Sequence, residues 1–198
     1  MSVTTQHTTR RTTHRLSIDA PAELVFSMLR DSSHWPYIDG LTVYSERVSG
    51  DDSAHELRTS VVSNGSLSSS HCWRVFDAPG LRAEFQQLDL EPPFRLLGGD
   101  WEIRLADGLC EVTLTHYFDV DDDYLAERIN GIIGDYGPRE LEALRASCER
   151  LAVLLQHHSA QGQSTLVQNT PQSTAVEPTT VPAAVVQPTV LQPAVKEA

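Results

Sequence analysis

The sequence predicts a single α+β domain in which a curved antiparallel sheet of about seven strands wraps around a long C-terminal helix. Between residues 41 and 118, short runs alternate apolar and polar residues between turn signals, as half-buried strands do. After residue 123 the apolar spacing changes to three and four, the period of an amphipathic helix. An open sheet with one apolar face needs cover, and one long helix provides it. A strongly bent sheet against one helix also leaves an internal apolar cavity.

Composition and charge exclude several classes of protein. The 198-residue chain is 40% hydrophobic, enough to bury one core, and its net charge is -12. An acidic balance argues against a nucleic-acid surface, which needs clustered Lys and Arg. A membrane span needs about 20 successive apolar residues, and the sequence has no such run. The first fifteen residues lack the apolar stretch of a secretory signal, so we expect a cytoplasmic protein.

The first elements are a strand and a short helix. Residues 14–19 alternate, and Pro21 at a first helical turn, with Asp19 as a possible cap, signals a helix start. The helix should end before Pro36, because a residue that precedes proline avoids helical geometry.

A strand meander and the terminal helix follow. Strands are predicted at residues 41–48, 55–62, 68–77, 81–85, 101–105 and 110–118, and Asn64-Gly65 is a strong hairpin signal. The helical pattern begins near residue 125 and should break at residues 134–138, where glycine and proline cluster. One apolar stripe then continues to the end of the helix. Its members are Leu141, Leu144, Cys148, Leu151 and Leu155.

The composition also predicts the domain boundaries. Residues 1–10 are expected to be a flexible N-terminus and residues 11–157 the folded domain. Residues 158–198 are rich in Pro, Gln, Thr and Val and have no helical or strand period, so we expect a disordered tail. A linker or a docking tether is the alternative function for this segment.

No metal or cofactor site is indicated. Cys72, Cys110 and Cys148 lie far apart in the sequence, whereas metal sites usually show a close pair, so all three are expected to be reduced thiols. The acidic run at residues 121–123 precedes a helix, where it favours the positive end of the dipole. No nucleophile elbow, phosphate loop or dinucleotide fingerprint is present.

Several stretches resemble the polyketide cyclase/aromatase branch of the START-like (Bet v 1-like) superfamily. They are residues 18–22 (IDAPA), 34–36 (HWP), 73–77 (WRVFD), 97–103 (LGGDWEI), 112–118 (VTLTHYF) and 139–144 (RELEAL). The later stretches look most like single units of the two-domain bacterial aromatase/cyclases, and the resemblance covers roughly residues 12–155.

The resemblance implies a helix-grip fold and an enzyme without metal or redox cofactor. Such an enzyme closes a poly-β-ketone, held as a thioester on an acyl carrier protein, by a regiospecific aldol reaction and then dehydrates it to an aromatic ring. Components of a minimal polyketide synthase would be its partners. The chain departs from the pattern in having one unit, and in reading Tyr136-Gly137 where the family often has Asn-Ser.

Arg74 is the strongest catalytic candidate. It shares a strand face with Cys72 and Phe76, and the resemblance places an arginine here. A guanidinium keeps its proton and presents a fixed fork of donors, which suits the negative oxygen that forms in an aldol step. An exposed edge arginine is the alternative.

His116 is the second catalytic candidate, because it lies on the apolar face of the last strand and can move protons near neutral pH. The alternative is a hydrogen-bonded core histidine. The substrate-binding candidates, which could equally be plain core, are Trp35, Phe85, Trp101, Phe118 and Cys72.

A non-catalytic carrier of a lipid, quinone or polyketide is the first alternative function, since the superfamily binds hydrophobic ligands widely. A structural or chaperone-like partner of a synthase is the second. An acidic carrier protein would need a local basic patch for docking. Arg139, Arg145 and Arg150 on the terminal helix are the candidates for that patch.

Overall fold

The computed structural model describes residues 9–63, 65–106 and 108–168. Its elements, in chain order, are β1 (Arg10–Ile18), α1 (Ala22–Arg30), a 3-10 turn (Ser32–His34), α2 (Trp35–Ile38), β2 (Thr42–Gly50), β3 (Ala54–Ser63), β4 (Ser66–Asp77), β5 (Arg82–Gln87), β6 (Phe94–Ala106), β7 (Leu109–Val120) and α3 (Asp123–Gln168).

The strands form one antiparallel sheet in the order β1-β7-β6-β5-β4-β3-β2. From β2 to β7 each strand pairs with the next in the chain, as hairpins do. The helices α1 and α2 carry the chain from β1 back to the far edge, so that β1 and β2 are the two edges. The predicted α+β fold, a seven-stranded antiparallel sheet with a long C-terminal helix, is confirmed.

The core lies between the inner face of the sheet and the helices. On β7, Val112 and Leu114 are wholly buried, and they belong to one cluster with Val25 of α1 and Leu141 of α3. Full burial of such a side chain contributes about 1.5–3 kcal/mol. The period-two pattern of the strands therefore fixes which face of the sheet receives α1 and α3.

The prediction of a break at residues 134–138 is wrong, because α3 continues through Pro138. An interior proline costs about 3 kcal/mol. Burial of Ile133 before it and of Leu141 and Leu144 after it outweighs that cost, at about 1.5–3 kcal/mol for each side chain. Gly137 also has a packing role, because a Cβ there would lie 2.4 Å from Cδ2 of the His14 ring on β1.

The expectation that Trp35 avoids helical geometry is also wrong. Its backbone is helical, with φ -52° and ψ -44°, and Pro36 stands in the first turn of α2. The indole Nε1 of Trp35 donates a 2.7 Å hydrogen bond to the carbonyl of Met28. This tertiary bond holds a conformation that the local sequence disfavours.

The helix α3 continues to Gln168, beyond the boundary that composition places at residue 157. Residues 1–8 of the predicted flexible N-terminus and residues 169–198 of the predicted tail lie outside the described residues.

Candidate active site

A cavity of about 490 Å³ lies between the inner face of the sheet and α3. Side chains from α1, α2, six strands and α3 line it. The residues that matter to the chemistry below are Trp35, Arg74, Phe85, His116, Tyr136 and Glu140.

Strand register places the two catalytic candidates in one row across the sheet. His55 on β3 stands opposite Arg74, Arg74 opposite Phe85, Phe85 opposite Gly99, and Gly99 opposite His116 on β7. Directly paired residues share a face, so the side chains of this cross-sheet row all lie on the inner face of the sheet. Neighbouring strands are about 4.8 Å apart, which puts Arg74 and His116 about 14 Å apart along the sheet.

Gly99, in the middle of the row, leaves room for the ring of Phe85 to lie directly on its backbone. A Cβ at Gly99 would lie 2.6 Å from Cζ of Phe85, so the phenyl ring occupies the space that any side chain would need. The same ring meets the imidazole of His116 edge-on, with ring centroids 5.7 Å apart. Phe85 therefore forms the cavity floor between the arginine and the histidine.

Arg74 is a buried cation with aromatic neighbours. Only 3% of the residue is exposed, and its Cζ lies 5.2 Å from the ring centroid of Trp35 and 5.0 Å from that of Phe76. Burial lowers the pKa of Arg74 to about 10, partly offset by Cys72 and Glu140, so the guanidinium stays protonated at neutral pH. Its buried Nη1 has no hydrogen-bond partner among the described residues. The site thus holds positive charge and an unused donor.

His116 is a buried neutral base. Burial, together with the charge of His14, lowers the pKa of His116 to about 4. Its Nε2 lies 3.7 Å from Oε2 of Glu140, and its Nδ1 is buried without a hydrogen-bond partner in the described part of the chain. At neutral pH the ring can accept a proton.

Glu140 is a site residue that the sequence reasoning missed. Burial raises its pKa to about 7, although Arg74 acts in the opposite direction. Tyr136, Glu140 and Ser147 line the cavity at helical spacings of four and seven. The sequence analysis followed the apolar stripe that begins at Leu141 and so overlooked these polar residues. Glu140 and Ser147 each stand one position before a member of that stripe, and they face the cavity.

The structure brings most of the predicted binding residues together. Trp35, Cys72, Phe85 and Trp101 line the cavity, and Trp101 is also part of the main core cluster. Phe118 does not line this cavity. It is wholly buried in a second cluster with Ala126, Ile129 and Ile133 of α3.

Within the described ranges, no three His, Cys, Asp or Glu side chains are grouped to hold a metal ion. In the same residues, no helix is long and apolar enough to cross a membrane.

No protein-family model matches the chain. Over 145 residues it is 30% identical to the granaticin polyketide synthase bifunctional cyclase/dehydratase of Streptomyces violaceoruber, with 72% of this chain and 45% of the relative covered. The chain spans about half the length of the curated relatives it matches.

This chain also matches about half of a solved di-domain structure. The di-domain aromatase/cyclase BexL from the BE-7585A biosynthetic pathway is 26% identical, at a TM-score of 0.64, with 71% of this chain and 46% of that chain covered. The chain resembles one unit of the di-domain aromatase/cyclases.

The fold is also that of a shorter aromatase/cyclase. The Zhui aromatase/cyclase from Streptomyces sp. R1128 superposes at a TM-score of 0.65 and 21% identity, with 72% of this chain and 95% of that chain covered. The START-like helix-grip fold that the sequence predicts is confirmed.

Proposed function

We propose that the domain is an aromatase/cyclase of type II polyketide biosynthesis in the cytoplasm. It would catalyse regiospecific aldol cyclisation and dehydration of a poly-β-ketone bound to an acyl carrier protein, without a cofactor. The supporting observation is a buried guanidinium whose Nη1 has no hydrogen-bond partner among the described residues, with a neutral histidine and a carboxyl group of near-neutral pKa lining the same apolar cavity. The similarity to cyclase/dehydratases supports the same reaction class.

The first step forms the carbon nucleophile. A methylene between two carbonyls loses a proton to neutral His116, and negative charge develops on the enolate oxygen. Arg74 donates hydrogen bonds to that oxygen, and a donor held in an apolar site stabilises such charge more than water does. A fixed guanidinium is suited to this role because it does not itself lose its proton.

The second step closes the ring and removes water. The enolate carbon attacks a distant ketone carbon, and the new alkoxide takes the proton of the Glu140 carboxyl group. The proton that His116 removed then passes to Glu140, 3.7 Å away, which restores both groups. His116 next removes a second α-proton while Glu140 protonates the departing hydroxyl, so that the double bond forms and one water molecule leaves. A second proton transfer from His116 to Glu140 completes the cycle.

The cavity wall supplies orientation. Trp35, Phe85 and Trp101 offer flat apolar surface along which an extended polyketone can lie. Holding one carbon near one carbonyl removes much of the entropic barrier, since it makes the reaction effectively unimolecular.

The carrier protein would dock on α3. Arg139 lines the cavity, and Arg145 and Arg150 follow it on the same helix. Arg145 pairs with Glu142 at 2.5 Å, and Arg150 donates to the carbonyl of Ile38 at 2.9 Å. Long basic side chains near the cavity favour approach of an acidic partner.

Reconstitution with a minimal polyketide synthase tests the proposal. The wild-type chain should replace the spontaneous product mixture by one ring pattern. Arg74→Ala should slow that product about 10²–10³-fold, as loss of one oxyanion donor does. His116→Ala and Glu140→Gln should each slow it about 10²–10⁴-fold, as loss of a general acid or base does. Product rings are measured by liquid chromatography and mass spectrometry.

Arg104→Ala is the matched control, because Arg104 is exposed on β6 and pairs with Glu102 outside the cavity. It should leave the product pattern unchanged. If the wild-type chain leaves the spontaneous mixture unaltered but binds polyketide, the enzyme proposal fails and the carrier function stands.

A further inference from the structure

Two buried nitrogen atoms at one end of the cross-sheet row have no hydrogen-bond partner in the described part of the chain. They are Nη1 of Arg74 and Nε2 of His55. His55 is wholly buried and takes no part in the proposed reaction. A buried polar atom left unpaired destabilises the fold, so an atom that lacks a protein partner usually bonds an ordered water.

Strand pairing brings these two residues together. His55 on β3 stands directly opposite Arg74 on β4, and directly paired residues have Cβ atoms about 4.5–5.5 Å apart. Both side chains also contact Phe76. The His55 ring centroid lies 4.9 Å from that of Phe76, and Cζ of Arg74 lies 5.0 Å from the same centroid. The imidazole and the guanidinium therefore share one packing site.

The proton position on His55 follows from its other nitrogen. Nδ1 lies 3.2 Å from the carbonyl oxygen of Asp51, and a carbonyl can only accept, so Nδ1 carries the hydrogen. Burial lowers the pKa of His55, which keeps the ring neutral at neutral pH. In this tautomer Nε2 holds a lone pair and is an acceptor.

The β2–β3 turn fixes the carbonyl that selects this tautomer. The Asp51 carboxylate accepts hydrogen bonds from the Ser53 amide at 2.8 Å, the Ser53 hydroxyl at 2.7 Å and the Ala54 amide at 3.2 Å. Gly50 has φ +91°, and a Cβ there would lie 2.6 Å from Cα of His55. Only glycine allows this close approach, so the sequence of the turn determines the position and the tautomer of His55.

We propose that His55 is a positioning residue for Arg74. The guanidinium donates a hydrogen bond to one ordered water, which in turn donates to Nε2 of His55, and this bridge aims the remaining N–H groups of Arg74 into the cavity. A neutral acceptor orients the arginine without neutralising it, whereas a carboxylate in the same place would offset its charge. The cation thus stays available to an anionic ligand. The inference rests on the proposed function for its role in catalysis, but its geometry is tested by binding alone.

Three variants test the hydrogen bond. His55→Phe fills the site without an acceptor, His55→Gln restores an acceptor, and Arg74→Met removes the donor. With 15N-labelled arginine, NMR should show separate Nη signals for Arg74 in the wild type and in His55→Gln, because the guanidinium cannot rotate freely. In His55→Phe those signals should merge.

Ligand preference gives a second measurement. The probes are 2-naphthoate and neutral 2-naphthamide, which have the same shape and differ in charge. The ratio of their dissociation constants should favour the anion in the wild type. That preference should fall about tenfold in His55→Phe, the loss expected for one hydrogen bond to a charged group, and return in His55→Gln.

His71→Phe is the matched control, since His71 lies on β4 but its ring bonds Glu56 and Asp89 rather than the cavity residues. It should lose stability and keep both the Arg74 signals and the anion preference. Equal changes in His71→Phe and His55→Phe would overturn the inference. If His55→Phe does not fold, Arg74→Met tests the same interaction by removing the donor. The 15N chemical shift of His55 Nε2 should then change to the value of a nitrogen that accepts no hydrogen bond.

The outcomes separate the two proposals. If cyclisation requires Arg74 while His55→Phe leaves the guanidinium signals and the anion preference unchanged, the positioning role is wrong and the proposed function stands. If His55→Phe changes both measurements while the wild-type chain leaves the spontaneous polyketide mixture unaltered, the positioning role holds and the cyclase function fails.

Discussion

Burial acts in different directions on the three ionisable residues of the candidate site. It lowers the pKa of Arg74 to about 10 and that of His116 to about 4, and it raises that of Glu140 to about 7. The charged form is disfavoured in each case. At neutral pH the site therefore holds a cation, a neutral base and a carboxyl group that is shared between its two forms. This combination suits a reaction that needs both proton removal and proton donation.

Outside the cavity, His71 allows the contribution of ion pairs to stability to be measured separately from catalysis. Its Nδ1 lies 2.7 Å from Oδ2 of Asp89, and its Nε2 pairs with Glu56. These hydrogen bonds raise the pKa of His71 above its usual value. These ion pairs therefore stabilise the folded chain fully at pH values below the pKa of His71 in the unfolded chain, about 6.5. The stabilisation is lost as the pH rises through the higher pKa of His71 in the folded chain. His71→Ala should lower the urea midpoint at pH 5.5, and the difference from the wild type should shrink at alkaline pH.

Urea unfolding at a series of pH values measures this difference. Arg104→Ala, an exposed change on β6 where Arg104 pairs with Glu102, serves as the control without a titrating imidazole. A loss of stability in His71→Ala that is equal at every pH would show that packing, and not the ion pairs, explains it.

At the scale of elements, two adjacent glycines of β6 make room for aromatic rings from the neighbouring strands β5 and β7. Phe85 lies against Gly99 on the cavity side, and the ring of Tyr117 lies against Gly98 on the outer side, where a Cβ would be 2.8 Å from Tyr117 Cε2. At both positions an aromatic ring occupies the space that a Cβ would need. At Gly99 that ring lies on the cavity face of the sheet, and at Gly98 it lies on the outer face. Their effects on the cavity should differ accordingly.

Gly99→Ala should destabilise the fold by about 1–3 kcal/mol, as overpacking does, and should also change the product pattern. The added Cβ would lie 2.6 Å from Phe85 Cζ and 2.4 Å from the Thr115 carbonyl oxygen, so the phenyl ring must move away from His116. Thermal unfolding measures the loss of stability, and reconstitution measures the products.

Gly98→Ala is the matched control for that change. It should lose stability to a similar extent and keep the wild-type product pattern. Adding Phe85→Leu should recover part of the stability of Gly99→Ala but none of that of Gly98→Ala. Equal product changes in both alanine variants would contradict the assignment of Phe85 as the cavity floor.

At the scale of the whole molecule, the chain spans about half the length of its curated relatives. The cavity lining described above comes from α1, α2, six strands and α3 of this chain. Among the α3 side chains that the structure describes, which end at residue 158, the last buried one is Ala152.

Removal of residues 169–198 should leave the thermal midpoint and ligand binding unchanged, because the two core clusters lie within residues 16–152. Differential scanning calorimetry measures the midpoint. Truncation after residue 139 is the contrasting variant. It removes Leu141, Leu144 and Cys148 and should abolish cooperative unfolding. A lower midpoint after the first truncation would mean that the tail packs on the domain.

Much of this arrangement is already determined by the sequence. Period-two alternation placed Arg74 and His116 on the inner faces of their strands, because successive side chains of a strand point to opposite sides. The same pattern predicted seven strands, and the helical stripe predicted the cover over them. Propensity rules failed at Trp35 and Pro138, where a tertiary hydrogen bond and the burial of α3 outweighed the local preference.

The tertiary structure alone decided how these residues meet. The register of successive hairpins put His55, Arg74, Phe85, Gly99 and His116 in one row, and register depends on turns and packing rather than on alternation. Which face of α3 covers the cavity depends on the packing of its leucines, and that packing brought Glu140 to His116. The sequence by itself therefore determined the fold and two inward-facing residues. The proximity of Glu140 and the protonation states of the site come from burial, which exists only in the folded chain.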